Sequence, residues 1–133
     1  MDLTKAIETL LHGPGEPMAG SMMTNDEALE YSRATFNGAP FCLVRNWIWV
    51  ELEVSEGRRD DLAAMQLHPV VLYARSIVYD SSRRWDVGDF VRTTLLHEFT
   101  DGFVFRTKNT HYVLLGDGSR KQAHPKTLAL ITG

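Results

Sequence analysis

The chain of 133 residues has a single cysteine, Cys42, and no long uninterrupted apolar stretch. One cysteine excludes an intrachain disulfide and any zinc site that needs several cysteine ligands. The apolar runs are far shorter than the roughly 20 residues that span a bilayer, so neither a transmembrane helix nor a membrane partner is expected. Cys42 lies within the apolar segment PFCLV. A reactive thiol needs an accessible, electropositive setting, so a buried and inert thiol is predicted.

Several sequence motifs of enzymes and of exported proteins are also missing. There is no G-x-S-x-G nucleophile elbow and no Walker-type phosphate loop. The N-terminal segment MDLTKAIETLLHG lacks a basic stretch followed by a long apolar one, so it does not resemble a secretory signal. We therefore predict a cytoplasmic protein without a cofactor.

The composition is that of an ordinary soluble domain, with 44% hydrophobic and 23% charged residues. The length suits a single domain with one core. The net charge of −3 is unevenly distributed along the chain. Residues 1–57 have nine acids and three bases, whereas residues 58–133 have eleven bases and eight acids. This asymmetry could orient a partner, but it does not identify one.

Periodicity and capping signals predict two N-terminal helices. The first helix has apolar residues at helical spacing: Leu3, Ile7, Leu10 and Leu11. Gly13-Pro14-Gly15 ends it, and residues 13–23, rich in Gly, Pro and Met, predict a flexible loop. Thr24 and Glu27 have the spacing of a capping box at the start of a second helix, from Asn25 to Phe36.

From Phe41 to Val54 the hydrophobic period changes to two, which predicts a strand with one buried face. The buried face has alternate apolar residues: Ile48, Val50, Leu52 and Val54. Trp47 and Trp49 lie on the other face. One interpretation packs them beneath the preceding helix, which we favour. The other makes them a partner-binding patch, since aromatic residues concentrate at interface centres.

The remaining elements complete an α+β prediction, with N-terminal helices packed on a mostly antiparallel sheet and a C-terminal β-meander. We predict a short helix at 60–67, a polar loop with Trp85 as its anchor, and strands at 70–79, 90–99, 103–107, 110–115 and 127–131. Residues 1–133 are predicted to form a single domain. Residues 1–23 supply the first helix and the flexible loop, and residues 24–133 supply the core of helix and antiparallel sheet.

A polar cluster in the segment from Leu95 to Lys121 invites a catalytic or metal-binding interpretation. His97 and Glu98 are neighbours on a predicted strand, so they point to opposite faces of the sheet. A zinc protease motif needs two histidines four residues apart on a helix, and this segment has neither feature. His97 and His111 together are short of the three or four ligands usual for zinc. We interpret the segment as mainly structural and predict no metal site.

The C-terminal half contains turn and core residues in a recurring pattern: GDFVRTT at 88–94, F-x-F-x-T-x-N-T-x-Y-V-L-L-G at 103–116, and G-x-R-K at 118–121. Through this pattern, about residues 70–121 of the chain resemble a family of small uncharacterised proteins of pseudomonads and their phages and prophages. The resemblance implies no known activity and supplies no catalytic residues. It implies an accessory gene product rather than a housekeeping enzyme.

The leading functional hypothesis is a small non-enzymatic interaction or regulatory protein that binds a host or phage protein. Its candidate anchors are the three tryptophans: Trp47, Trp49 and Trp85. A homodimer through the strand at 41–54, or through a sheet edge, belongs to the same class because exposed edges pair readily.

Two alternatives remain open. A nucleic-acid-binding protein would use three basic pairs, Arg58-Arg59, Arg83-Arg84 and Arg120-Lys121, with Trp85 stacking on a base. The acidic net charge and the lack of a helix-turn-helix or RNA-recognition motif argue against it. An enzyme would need a site assembled from scattered residues: His97 or His111 with Asp101, Tyr112 and Arg106.

Overall fold

The structure is a computed structural model that describes residues 3–129. In this part of the chain it has four helices and eight strands. The elements in chain order are α1 (Leu3–His12), β1 (Glu16–Met18), α2 (Asn25–Phe36), β2 (Phe41–Leu52), α3 (Glu56–Ala64), β3 (Val70–Asp80), β4 (Val91–Arg92), β5 (Glu98–Thr100), β6 (Val104–Arg106), β7 (His111–Leu114), β8 (Gly118–Ala123) and α4 (Pro125–Ala129). The predicted α+β class is confirmed.

Helix α2 begins and ends where its capping residues predict. The Thr24 hydroxyl accepts a hydrogen bond from the Glu27 amide at 3.2 Å, and the Glu27 carboxylate accepts one from the Thr24 amide at 2.9 Å. These two bonds are the predicted capping box, and they satisfy two amides that the helix leaves without partners. At the other end, Asn37 (φ 49°) and Gly38 (φ 92°) turn the chain out of the helix through positive φ values.

The sheet is mixed and is organised around β2. One edge of β2 pairs antiparallel with β3, and the other edge pairs in parallel first with β7 and then with β8. Five of the seven pairings between named strands are antiparallel, including the predicted meander of β5, β6 and β7. Because the second edge is paired over residues 41–44 and 48–52, β2 has no free edge there for a homodimer.

The segment from residue 91 to residue 100 curls the sheet around an inner core. The Thr93 amide donates to the Leu72 carbonyl of β3 at 2.9 Å, whereas the His97 amide donates to the Arg106 carbonyl of β6 at 2.8 Å. The predicted single strand at 90–99 is therefore wrong. Two short strands, β4 and β5, flank irregular backbone because the chain must cross from β3 to β6.

Both faces of β2 are buried, which corrects the prediction of one buried face. On the inner face, Trp47 is only 1% exposed, and Trp49 packs edge-on against Phe99, with ring centroids 4.9 Å apart. On the outer face, Ile48 and Val50 lie in an apolar cluster with side chains of α1 and α4. The tryptophans do not lie beneath α2, which instead packs against the cluster of Phe41, Leu43, Val113 and Leu115.

Trp47 occupies the point at which the sheet branches from β7 to β8. Its indole N–H donates to the Leu115 carbonyl at 3.3 Å. A Cβ atom at Gly118 would overlap the Trp47 ring, and one at Gly20 would lie 3.0 Å from the ring atom Cζ2. Two glycines therefore let backbone pack directly on the indole. The backbone turns at Gly116 (φ 67°) and leads into strand β8, which is absent from the strands predicted from the sequence.

Three further boundaries differ from the sequence-based prediction. Helix α3 starts at residue 56 instead of 60 because the Ser55 hydroxyl accepts from the Arg58 amide at 3.1 Å and caps the helix. The loop predicted at 13–23 contains β1, which pairs with β8. The strand predicted at 127–131 is wrong over 127–129, where α4 starts with Pro125 in the position that proline favours. Residues 130 and 131 lie outside the described residues.

Replacing Gly118 with alanine tests the packing at the branch point. We expect Gly118→Ala to lower the free energy of unfolding by about 3 kcal/mol, because the new methyl group overpacks the Trp47 ring. Chemical denaturation measures this change. Gly57→Ala in α3 is the matched control, since nothing lies within 4 Å of the added atom and alanine favours a helix by up to about 1 kcal/mol over glycine. Equal stability of Gly118→Ala and wild type would contradict this packing.

Candidate interaction surface

The loop of residues 81–90, between β3 and β4, is anchored by an ion pair between Asp80 and Arg84. The Asp80 side chain is completely buried, whereas the Arg84 side chain is 33% exposed. The guanidinium donates to the carboxylate through Nη2 at 2.8 Å and through Nε at 3.1 Å, and the Arg84 amide donates to it at 2.6 Å. Nη1 also donates to the Thr110 hydroxyl at 2.7 Å. The start of the loop is thus tied to both β3 and the end of the turn before β7.

The same contacts set the charge state of Asp80. Burial acts to raise the pKa of its carboxyl, but hydrogen bonds from the Arg84 side chain and amide outweigh burial and hold the pKa below its ordinary value. Nearby, burial raises the pKa of the Cys42 thiol and of the Tyr112 phenol to about 12 in each case. Both groups therefore stay neutral beside the ion pair at physiological pH, as predicted for an inert Cys42.

The second half of the loop is held by backbone hydrogen bonds. The Asp86 amide donates to the Asp89 carboxylate at 2.9 Å, and the Asp89 amide donates to the Asp86 carbonyl at 3.1 Å. Ile77 of β3 accepts from the Gly88 amide and donates to the Asp89 carbonyl, both at 2.9 Å. The loop therefore presents its side chains from a fixed backbone.

This fixed loop exposes apolar side chains. Val87 is 78% exposed and Phe90 is 39% exposed. Trp85 is half-buried against the core, with the Arg84 guanidinium 4.5 Å from its ring centroid. We call Trp85, Val87 and Phe90 the loop patch. A single exposed apolar residue needs no explanation, but three apolar side chains within six positions of one ordered loop form a candidate surface.

Only one of the three candidate tryptophans lies at this surface. Trp85 belongs to the loop patch. Trp47 is buried at the branch point, so its side chain is not part of the surface that a partner meets. Trp49 is half-buried and contacts Phe99 and Phe105 inside the curled sheet. The preferred interpretation of Trp47 and Trp49 as packed residues agrees with their positions, although α2 is not what covers them.

The three basic pairs do not share one surface. Arg83-Arg84 lies near the start of the twelve-residue strand β2, because it follows Asp80, the partner of Cys42 in the β2–β3 pairing. Arg58-Arg59 lies in α3, which follows the opposite end of β2. Arg120-Lys121 lies in β8, which pairs with the second half of β2.

Half of these basic side chains already have partners within the fold. Arg84 pairs with Asp80, and Arg120 forms an ion pair with Glu51. The Lys121 ammonium donates to the carbonyls of Leu10 at 2.6 Å and Gly13 at 2.8 Å. Carboxylates therefore neutralise two of the six cations. Arg59 and Arg120, from two different pairs, line one cleft, whereas Arg83-Arg84 lies near the other end of β2.

The scattered residues of the enzyme alternative do not all converge, although Arg106 lies opposite His111 in the pairing of β6 with β7. His97 Nδ1 lies 2.8 Å from the Gln66 carbonyl, whereas the His111 ring stacks on Phe36. Asp101 accepts a hydrogen bond from Tyr31 at 3.4 Å. Each group thus has its own neighbours. Among residues 3–129, no group of three or more His, Cys, Asp or Glu side chains is placed to hold a metal ion.

Three clefts lie along β8 and were not foreseen from the sequence. One of about 770 Å³ lies between α1, β1, β8 and α4, and one of about 410 Å³ lies between the ends of β2 and β8, α3 and the start of β3. The third, of about 560 Å³, lies between the end of α1, β2, β3 and the start of β8. All three volumes are in the range of small-molecule sites. Lys121 lines the cleft of about 770 Å³. Burial, followed by the charge of Arg75, lowers the pKa of its ammonium, which is engaged by α1 carbonyls.

Comparison with known proteins identifies one family. A family model described as a domain of unknown function (DUF6957) matches residues 18–130, which confirms the resemblance of residues 70–121 to an uncharacterised family and extends it over most of the chain. No curated protein and no solved structure matches the chain. Over the described part of the chain, none of the helices has the length and apolar character needed to cross a bilayer.

The ion pair at the base of the loop predicts a specific pH dependence. We expect Asp80→Asn to lower the free energy of unfolding at pH 7 by about 3 kcal/mol, because it breaks a pair whose carboxylate is buried. The pKa of Asp80 in the folded state lies below its ordinary value of 3.8. The contribution of the ionised Asp80 carboxylate to the free energy of unfolding is therefore complete above that pH. This contribution is lost as the pH falls through the folded-state pKa.

Denaturation of wild type and Asp80→Asn at pH 7, 5 and 3 measures this loss, and the two curves should approach each other below about pH 4. Asp61→Asn, which removes an exposed carboxylate of α3, is the control and should leave the wild-type profile in place. A constant difference between wild type and Asp80→Asn at all three pH values would show that the ion pair does not carry the effect.

Proposed function

The chain belongs to DUF6957, a family of domains of unknown function, and we propose that it is a small non-enzymatic protein that binds another protein through the loop patch. The observation that carries this proposal is the exposure of Val87 and Phe90 on a loop with a fixed backbone. A preorganised loop loses little conformational entropy on binding, so more of the contact energy becomes affinity.

The chemistry of the loop also supports protein binding. Tryptophan and arginine are enriched at the residues that contribute most to protein interfaces, and Arg84 already lies over the Trp85 ring. Val87, with 78% of its surface exposed, contributes little to the stability of the fold, so a polar residue would serve folding equally well. Trp85 therefore remains a proposed partner-binding residue, and Val87 and Phe90 are proposed to bind the partner with it.

The regulatory role and the origin of the protein belong to the same proposal. The chain would be an accessory product of a pseudomonad phage or prophage, and it would act on a host or phage protein in the cytoplasm. The support for this part is the pattern of residues over about 70–121 that resembles such proteins.

Capture from a lysate of the cells that naturally carry the gene tests the proposal. Tagged wild-type protein, Val87→Asp and Met22→Asp are compared after nuclease treatment, and the bound proteins are identified by mass spectrometry. We expect Val87→Asp to retain at least about tenfold less of a nuclease-resistant partner, because a carboxylate at the interface is buried without a partner. Met22, 85% exposed and outside the loop patch, makes the matched control.

Material that is lost on nuclease treatment, or a partner retained equally by both variants, would contradict the proposal. Both changes are at exposed positions, so thermal unfolding should show both variants folded. Trp47→Ala is unsuitable as a probe, because truncating a buried tryptophan costs about 3–5 kcal/mol of stability.

A further inference from the structure

Helix α1 lies before the part of the chain that the family model matches. That match begins at Met18, whereas α1 ends at His12 and is followed by the link Gly13-Pro14-Gly15. The matched region therefore leaves out this helix, its link and most of β1, although Leu10 of α1 is a buried core residue.

This helix covers an apolar part of the outer sheet face. Leu10 is 4% exposed, and Ile7 and Leu11 pack beside it. The sheet residues beneath them share the outer faces of β2 and β3: Ile48, Val50, Val71 and Tyr73. Apolar residues at i, i+3 and i+4 packed on an apolar face are the pattern by which proteins bind an amphipathic helix in a groove.

Lys121 holds the C-terminal end of α1, and a cleft borders one flank of the helix. Lys121 donates to the carbonyls of Leu10 and Gly13 at the C-terminal end of the helix, at 2.6 and 2.8 Å. The cleft of about 770 Å³ runs between α1 and the elements beside it, so one flank of the helix is not packed. Elements with few packed contacts open at lower free energy than the core does.

The face beneath α1 is continuous with the loop patch. The Phe90 ring lies 5.7 Å, centroid to centroid, from the ring of Tyr73, which belongs to the cluster under α1. Displacing α1 would therefore join the loop patch to an apolar face formed by β2 and β3. The exposed patch and the covered face form one surface, of which α1 occupies a part.

We propose that the partner presents an amphipathic α-helix that takes the place of α1 on this face, so that α1 is an intramolecular competitor for the partner site. This inference rests on the proposed function, because it extends the loop patch. The partner helix carries Ile or Leu at i, i+3 and i+4, as α1 does, and its C-terminal carbonyls accept from Lys121 as those of α1 do. A lysine at a helix C-terminus also interacts favourably with the helix dipole.

The full-length protein and a defined peptide test this site without knowledge of the partner. The probe is the unlabelled peptide LTKAIETLLHG, residues 3–13 of this chain, with a Leu10→Asp version as its control. Lys121→Gln releases the contact at the end of α1. Lys108→Gln, at an exposed turn, removes the same charge without touching α1 and is the matched control variant.

Hydrogen exchange and peptide titration give the two readouts. We expect α1 amides to exchange about tenfold faster in Lys121→Gln than in Lys108→Gln, while the amides of α2 and β7 are unchanged. The peptide should shift the NMR signals of Ile48, Val50 and Val71 in a full-length Leu10→Ala variant, and should bind that variant at least about fivefold more tightly than wild type. The change removes buried contacts of α1 but leaves the sheet face and Lys121 intact, so the competing helix is open more often. The Leu10→Asp peptide should bind neither protein.

The inference is overturned if the peptide fails to shift these signals in Leu10→Ala, or if α1 and α2 exchange faster together in Lys121→Gln, which would mean global destabilisation. It is also overturned if the peptide binds but does not displace a partner whose capture depends on Val87. The peptide experiment does not involve Val87. If Val87→Asp captures as much partner as wild type, the loop patch proposal is wrong. If the peptide does not bind, the helix site is wrong, so the two failures are distinguishable.

Discussion

The indole of Trp47 fills the point at which the sheet branches, and the rest of the fold depends on this packing. Because β2 pairs first with β7 and then with β8 along one edge, its neighbours separate beside residues 45–47. The ring occupies that space, the Leu115 carbonyl accepts its N–H, and Gly118 leaves room for it. A large apolar ring whose single polar group has a partner is well suited to such a position. Strand β8, which supports α1, is thereby joined to the inner core.

A buried carboxylate determines the surface in a comparable way. Asp80 is stable in the interior because Arg84 supplies three hydrogen bonds to it. The same arginine reaches Thr110 and lies over Trp85, so one electrostatic requirement of the core positions the first half of the loop of residues 81–90. The contact between Phe90 and Tyr73 then connects that loop to the face that α1 covers. The conformation of the loop surface therefore depends on contacts with buried residues of the sheet.

The candidate site was only partly predictable from the sequence. Trp85 was identified because a lone aromatic residue in a polar loop is a recognisable signal. Val87 and Phe90 were missed, since their exposure results from hydrogen bonds between the loop and Ile77 of β3. The basic pairs show the same limit. A local pattern reveals the charge of Arg120 and Lys121, but their partners, Glu51 and the carbonyls of α1, are more than sixty positions away.

By itself the sequence determined the elements that are stabilised by contacts between near neighbours. The capping box fixed α2, and the change of hydrophobic period located β2. Tertiary structure decided β8, the curl of the sheet and the burial of both faces of β2. Strand β8 carries the polar sequence GSRKQA, so it has no hydrophobic alternation of its own, and it forms a strand because β1 and β2 satisfy its backbone hydrogen bonds. Contacts between residues distant in the chain leave no local pattern, and these contacts place both the loop patch and α1.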